Sequence, residues 1–545
     1  MENTTNKNHG IRLGVTIFSV AVLIVVCVAL LSDPAAAGIM LARIYSLLTD
    51  KMGWTFLVFG FCCFFFLLWL AFSKYGKIRL GKPGEKPQFS RFAWIAMLFC
   101  TGQGSTLIYW SIVEPLQYYD GPPFGLKVGS TSAVEYAASY GSFHWGLIPW
   151  ALLTIPTVPL AYYLFVRRKA QVSLSSTLEG HMAPSIRKPL CAAIDVLVIF
   201  ATVANACTCL GIETPTIASL ISQYTGLKVS LGMEICIIIV FVAIFSCSSF
   251  LGLEKGIKKL SSLNIYLVYG IFIVMLIVGP TTFIMNTFVN DVGIMLNNFF
   301  RMSLYTDPIG QSLWPQGWTM FYWAWWLCAT PFTALFIAQI SKGRTVREVA
   351  LGGVIWGTLG DFVAFGVLGG STIHAQVFEG VDLVTVLNEK GAPMAVATLL
   401  ARFPLAGLLV PLTIISMIIF SSTTYDSGAF VLSSLTYRPK TAGEESPRWL
   451  RLMWSSIVGA ASIILLLIGG LEPLQSFSLI TAIPILFICV FVVIFFMKDL
   501  HHDYTLVMTK AGKGDETIAF DLTEEGELAR DEVPAAEEAV PAAEG

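Results

Sequence analysis

Apolar runs of about twenty residues, separated by short polar joints, recur along almost the whole chain, and they constrain its fold more than any other feature. About twenty residues is the length of helix that crosses the hydrocarbon core of a bilayer. Inside that core a segment must satisfy its own backbone hydrogen bonds, so such runs are helices rather than the strands of a barrel. Composition agrees: 13% of the 545 residues are charged, against about 25% in soluble domains. The fold class expected is an all-α polytopic membrane protein.

Runs and breakers place helices near 14–34, 52–73, 92–117, 142–166, 191–221, 232–252, 262–286, 317–340, 347–369, 404–434, 452–470 and 474–497. Lys7, Arg12 and the apolar run to Leu31, followed by Ala35-Ala36-Ala37-Gly38, have the look of a cleaved signal. Twelve spans with both ends on one side need this helix, so it is read as the first span. Loop charge tests the count, because Lys and Arg near span ends stay cytoplasmic. Alternate loops carry Lys74, Lys77, Arg79, Lys82, Lys86 and Arg91, then Arg167, Arg168, Lys169, Arg187 and Lys188, then Lys255, Lys258 and Lys259. The pattern continues with Lys342, Arg344 and Arg347, and with Arg438, Lys440, Arg448 and Arg451, whereas the third and fifth loops hold only Lys127 and Lys228. Both termini are expected in the cytoplasm, and the chain in a bacterial inner membrane.

Residues 288–303 read as an amphipathic segment at the outer interface, with Phe299 and Phe300 dipping into lipid or a partner subunit. Residues 376–402 form a second outer segment. After Lys513 the chain is acidic and rich in Ala, Glu and Pro, the composition of a disordered tail. A net charge of -2 and the absence of a basic stripe give no reason to expect nucleic acid. Eleven scattered cysteines, with no CxxC beside a histidine, give none to expect zinc or haem. Without paired metal ligands or an activated nucleophile, an enzyme is not expected.

Three stretches carry chemistry. In Cys100-Thr-Gly-Gln-Gly-Ser-Thr, Gly102 and Gly104 sit in mid-membrane and each weakens a helix by about 1 kcal/mol. Broken transporter helices place freed carbonyls and a half-helix N-terminus around ions and anions, although close packing through small residues is an equal reading. In Trp318–Trp326, indoles and phenols run for more than two turns into Pro331, further than an interfacial belt extends. His144-Trp145 and Trp150 add indoles from another helix. Aromatic faces suit a permanently charged ammonium group whose methyls block hydrogen bonding, at about 0.5–2 kcal/mol per contact. In Phe420-Ser-Ser-Thr-Thr-Tyr-Asp-Ser, consecutive hydroxyls either bond back to helix carbonyls or serve as hard oxygen ligands. Glu114, Glu213, Asp361 and Asp426 are the charges within spans. Glu114 and Asp426 read as ties to neighbouring backbone, and the sequence offers no partner for Glu213 or Asp361.

At these residues the chain resembles the betaine/carnitine/choline transporter family. The resemblance rests on FYWAWW in the aromatic run, ISKGRTVRE at 340–348, YTDPI at 305–309, PQGW at 315–318, HWGLIPW at 144–150 and the YWxxxEP around Trp110. It covers roughly residues 10–500. It implies a LeuT-like arrangement of two inverted five-helix repeats, at 92–286 and 317–498, preceded by two further helices within 14–91. A cytoplasmic N-terminus at 1–13, the outer segment at 287–316 and an acidic cytoplasmic tail at 499–545 complete that organisation. Alternating access, a midplane aromatic site and a homotrimer are further implications.

The same resemblance assigns Trp145, Trp150, Trp323, Trp325 and Trp326 to the substrate site, with Trp110 beside them. It assigns Thr423 and Thr424, with the carbonyls of Cys100, Gln103 and Phe420, to a sodium site. The chain departs from the family pattern at several positions. Thr106 replaces the third glycine of a Gly-x-Gly-x-Gly break, and of two threonines at a second sodium site Thr202 matches but Ala206 does not. Leu153 and Ala329 stand where box aromatics occur. Exchangers that work without sodium carry an arginine where this chain has Asn264, and a methionine where it has Thr333. An acidic tail also differs from the basic tail of osmotically regulated members. The expectation is a secondary transporter of a glycine betaine, carnitine or choline type compound, with sodium as coupling ion and no other cofactor. A sodium-independent exchanger of two betaines is the alternative within the class, and a ligand-binding membrane sensor the alternative outside it.

Overall fold

With no water to satisfy a backbone group inside a bilayer, the apolar runs close their hydrogen bonds as helices. The structure, a computed structural model, describes residues 10–171, 173–252, 256–439, 444–468, 481–511, 518–520, 522 and 526. In chain order the helices are α1 (Leu13–Ser32), α2 (Pro34–Phe72), α3 (Arg91–Gln103), α4 (Thr106–Asp120), α5 (Thr131–His144), α6 (Leu147–Thr154) and α7 (Thr157–Phe165). They continue as α8 (Leu174–Leu178), α9 (Pro184–Thr225), α10 (Leu231–Leu251), α11 (Lys258–Val278), α12 (Thr281–Asn297) and α13 (Phe299–Ser303). Next come α14 (Phe321–Ile340), α15 (Val346–Ala364), α16 (Gly370–Phe378), α17 (Leu383–Lys390) and α18 (Ala392–Arg402). The last three are α19 (Ala406–Leu435), α20 (Arg448–Ile468) and α21 (Ala482–Ala511). Their starts carry ordinary caps: Ser90, Ser130 and Ser230 accept from backbone N–H groups, and Thr345 with Glu348 forms a capping box.

Among the described residues, nine helical runs are long and apolar enough to cross a membrane. The expected spans at 14–34, 92–117 and 452–470 fall outside that class, being represented by α1, by α3 with α4, and by α20. Residues 469–470 and 474–480 of the last two expected spans lie outside the described residues. The expected span at 262–286 divides, because Gly279 and Pro280 separate α11 from α12. The core is one continuous aromatic and aliphatic cluster centred on α14, which packs against α3, α6, α7, α9 and α19.

Two expectations are corrected. Phe300 is exposed, but Phe299 is buried against Phe64 and Phe143, so only one of that pair faces outward. The helix expected to end at 497 runs on to Ala511, because Asp499 and Asp503 anchor it to Arg167 at 2.8 Å each. Most of the acidic stretch after Lys513 lies outside the described residues. Of those described, Ile518–Ala519 pairs in parallel with Ile78–Arg79, and Phe520 and Leu522 are buried, which a solvated tail does not require.

Candidate substrate and ion site

The third expected span is broken where the glycines stand. α3 ends at Gln103, Gly104 takes φ +62°, and α4 starts at Thr106. A Cβ at Gly104 would sit 3.2 Å from both Glu213 Oε1 and Thr424 Oγ1, so glycine is required by backbone and neighbours alike. On the opposite side of the cluster, Trp145 closes α5 and Gly146 turns the chain sharply into α6. These breaks present α14 with side chains from three directions.

The result is a small cavity of about 20 Å³. Trp145, Trp325, Trp326 and Phe332 form its aromatic wall. Thr106, Asn205 and Thr424 contribute polar groups, and Gly102, Cys209 and Ala329 leave it room. Trp145 and Trp326 meet edge to face at 4.9 Å and 89°, while Trp325 lies nearly parallel to Trp326 at 6.2 Å. Trp110 packs against Trp325 at 6.0 Å, just behind the lining.

Each lining indole is fixed through its N–H, which is thereby already engaged. Trp325 donates to Asn205 Oδ1 at 3.2 Å and Trp326 to the His144 carbonyl at 3.0 Å. Trp145 donates to Glu114 Oε1 at 2.5 Å, where the Tyr322 hydroxyl also donates. Tyr118 donates to Glu114 Oε2 at 2.8 Å and is hydrogen-bonded to His144 Nδ1, also at 2.8 Å. His144 Nε2 in turn pairs with Thr319 at 3.0 Å. Glu114, fully buried, therefore ties α4 to the α5 end and to α14 through side chains, not through neighbouring backbone.

Three tryptophans expected at the site lie outside the cavity wall: Trp110, just behind the lining, Trp150 and Trp323. Trp150 donates to Asp361 Oδ2 at 2.7 Å and stacks on Phe99. Gly102 and Gly357 leave no room for a Cβ against its ring, so it is sealed into the packing behind α3. Trp323 packs on Phe143 and His144 and faces Gly60 of α2. The reason is angular. At about 100° per residue, Tyr322, Trp325, Trp326, Ala329 and Phe332 share one arc of α14, and Trp323 falls outside it. Phe332 was missed from the sequence, and the i, i+4, i+7 spacing from Trp325 is the signal that could have found it. Asn205 carried no comparable signal.

The expected sodium oxygens largely converge. Thr424 Oγ1 donates to the Cys100 carbonyl at 2.6 Å and lies 3.4 Å from the Phe420 carbonyl, to which Thr423 donates at 2.6 Å. Gln103 closes α3 one residue before the break. Ser421 reaches across to Ser105 at 2.7 Å, so the hydroxyl run bridges helices as well as bonding back. These are hard, neutral oxygens, the donor set a sodium ion takes. Asn264 lies beside them, its amide 3.8 Å from Cys100 Sγ. The Tyr425 hydroxyl donates to Glu213 Oε2. Asp426, two residues on from Thr424 in α19, is buried beside Ser248 and Ser249.

A family model described as betaine/carnitine/choline family transporter matches residues 14–505. The chain belongs to that family. It is thus a multi-pass membrane transporter, not an enzyme, and its cargo is a small molecule. Among solved structures, this family member is similar to a Na+-coupled sialic acid symporter in a substrate-bound outward-open state, at 11% identity and a TM-score of 0.41. That match covers 87% of this chain and 93% of the other. It is also similar to a point mutant of the Eremococcus coleocola manganese transporter, at 12% identity and a TM-score of 0.39, over 80% and 92% of the two chains.

Proposed function

We propose that the chain carries a small quaternary-ammonium compound of the glycine betaine, carnitine or choline type, by sodium-coupled symport and alternating access. The observation that carries this reading is the set of indoles at Trp145, Trp325 and Trp326, which line the cavity with their N–H groups engaged elsewhere, so that aromatic faces are what they can offer. A trimethylammonium group has no N–H to donate, and such faces are what attracts it. The cavity as it stands has room for little more than one water. Substrate entry thus requires the indoles to part, as in a site that opens alternately to either side. Thr423, Thr424 and the carbonyls of Cys100, Gln103 and Phe420 are the sodium ligands in this account. Two inverted repeats at 92–286 and 317–498, a homotrimer, and an inner-membrane position with both termini cytoplasmic belong to the same reading. Quenching of tryptophan fluorescence tests it. Trimethylammonium compounds should quench saturably, and their demethylated analogues should bind at least tenfold more weakly; equal binding of both would remove the aromatic-box assignment.

A further inference from the structure

Glu213 stands out among the buried charges. It is fully buried in α9, Tyr425 satisfies Oε2, and Oε1 has no hydrogen-bond partner. That oxygen points at the helix break: it and Thr424 Oγ1 both lie 3.2 Å from the position of a Gly104 Cβ. The two oxygens are therefore within about 6.4 Å of one another. Two oxygens that share one ion lie at most roughly 5 Å apart, twice the usual hard-cation distance, so the pair would close onto the ion. On α9 the face that lines the cavity through Asn205 and Cys209 continues, one turn on, to Glu213. Among the described residues the buried arginines are Arg167, Arg344 and Arg451, and they pair with Asp499 and Asp503, Glu348 and Glu445 respectively, not with this carboxylate.

The sodium oxygens named above are all neutral. A cation placed among them, inside the membrane, would have no counter-charge within that ligand set, the nearby Asp426 lying against Ser248 and Ser249, and burying an uncompensated charge is costly. Resting on the sodium-coupled reading, we propose that the Glu213 carboxylate is the anionic ligand of a monovalent-cation site at the break between α3 and α4, shared with Thr424. The cation compensates the orphaned Oε1, and the carboxylate compensates the cation. Binding the ion also draws α9 and α19 onto the broken helix, next to the Thr424 and Cys209 walls of the substrate cavity. The competing role is purely structural, since the Ser421 and Ser105 hydroxyls and the Thr106 N–H at the start of α4 face the same carboxylate.

The test is a sodium titration of the purified full-length transporter without substrate, read by tryptophan fluorescence and by the thermal unfolding midpoint. NaCl is exchanged for KCl at constant ionic strength, in wild type, E213Q, E213D and T423A. The expected result is a saturable sodium response in wild type whose midpoint rises tenfold or more in E213Q. In E213D, which keeps the charge one methylene back, it rises by a smaller factor that still exceeds twofold. E213Q and E213D midpoints within twofold of wild type, with T423A displaced, would overturn the Glu213 role and leave the threonine site standing. A purely structural Glu213 would lower the unfolding midpoint equally in both salts without moving the sodium midpoint, which also overturns the proposal. No sodium response in folded wild type removes the sodium reading itself and this inference with it.

Discussion

Glu114→Gln keeps the shape of a side chain that no cavity wall includes, and it should still weaken substrate binding. Trp145, Tyr322 and Tyr118 are all placed to donate to Glu114. An indole N–H can only donate, so the amide oxygen of glutamine stays toward Trp145 and Tyr322. Its NH2 then faces the Tyr118 hydroxyl, which is already engaged with His144. Hydrogen bonds to a charged acceptor contribute about 1.5–3 kcal/mol each, and neutral ones about 0.5–1.5 kcal/mol. Three bonds weakened by about 1 kcal/mol apiece give a stability loss of roughly 3 kcal/mol. If the loosened Trp145 turns its face from the cavity, one cation-π contact of about 0.5–2 kcal/mol goes with it, roughly a 2- to 30-fold weaker Kd. The assay is a binding isotherm for a trimethylammonium substrate, paired with the unfolding midpoint. Y118F is the comparison, because it removes only the donor on the far oxygen and should change Kd less than E114Q does. E114Q binding within twofold of wild type would refute the argument that Glu114 orients Trp145.

Trp326→Leu removes one wall and leaves the His144 carbonyl without its indole donor; uptake KM should rise several-fold, and an unchanged KM would strike Trp326 from the site. Trp150→Phe removes the donor to Asp361 Oδ2, so it should cost about 1–3 kcal/mol of stability while substrate Kd stays within twofold. A large loss of affinity there would return Trp150 to the site. Replacing Thr423 and Thr424 together by Ala should raise the sodium concentration for half-maximal uptake tenfold or more, or abolish sodium dependence; an unaltered sodium response would dispose of that ion site. Gly104→Ala forces on alanine a φ of 62° with a ψ of -173°, a region essentially confined to glycine, at about 1–3 kcal/mol, and a Cβ 3.2 Å from Glu213 and Thr424. Uptake should fall sharply, and normal uptake would show that the break is not rigid.

The apolar runs, their breakers and the loop charges made the helices legible, since each is local in sequence. At Gly102 and Gly104 the sequence left a helix break and close packing as equal readings, and the structure has the break at Gly104. Motif wording around Trp110, Trp145 and FYWAWW pointed to the family directly. What sequence did not reveal was side-chain direction and long-range pairing. Trp150 and Trp323 have the same chemistry as Trp326, and only their angular positions and the packing of Gly60, Gly102 and Gly357 take them off the wall. Glu114 read as a tie to backbone because its three donors come from residues 4, 31 and 208 positions away. Glu213 and Asp361 had no visible partner because Tyr425 and Trp150 lie more than two hundred residues distant. The described part of the tail read as solvated by composition, although Phe520 and Leu522 are buried.

The central claim is sodium-driven carriage of a quaternary-ammonium compound, and uptake into proteoliposomes tests it most directly. Labelled glycine betaine, carnitine and choline would be offered with and without an inward sodium gradient, to empty vesicles and to vesicles preloaded with a betaine. The account predicts that at least one of the three accumulates in empty vesicles only when the gradient is present. Uptake that needs a preloaded betaine and ignores sodium would make the protein an exchanger and contradict the ion site. Tight binding with no uptake under any condition would contradict transport of these compounds and favour a sensor.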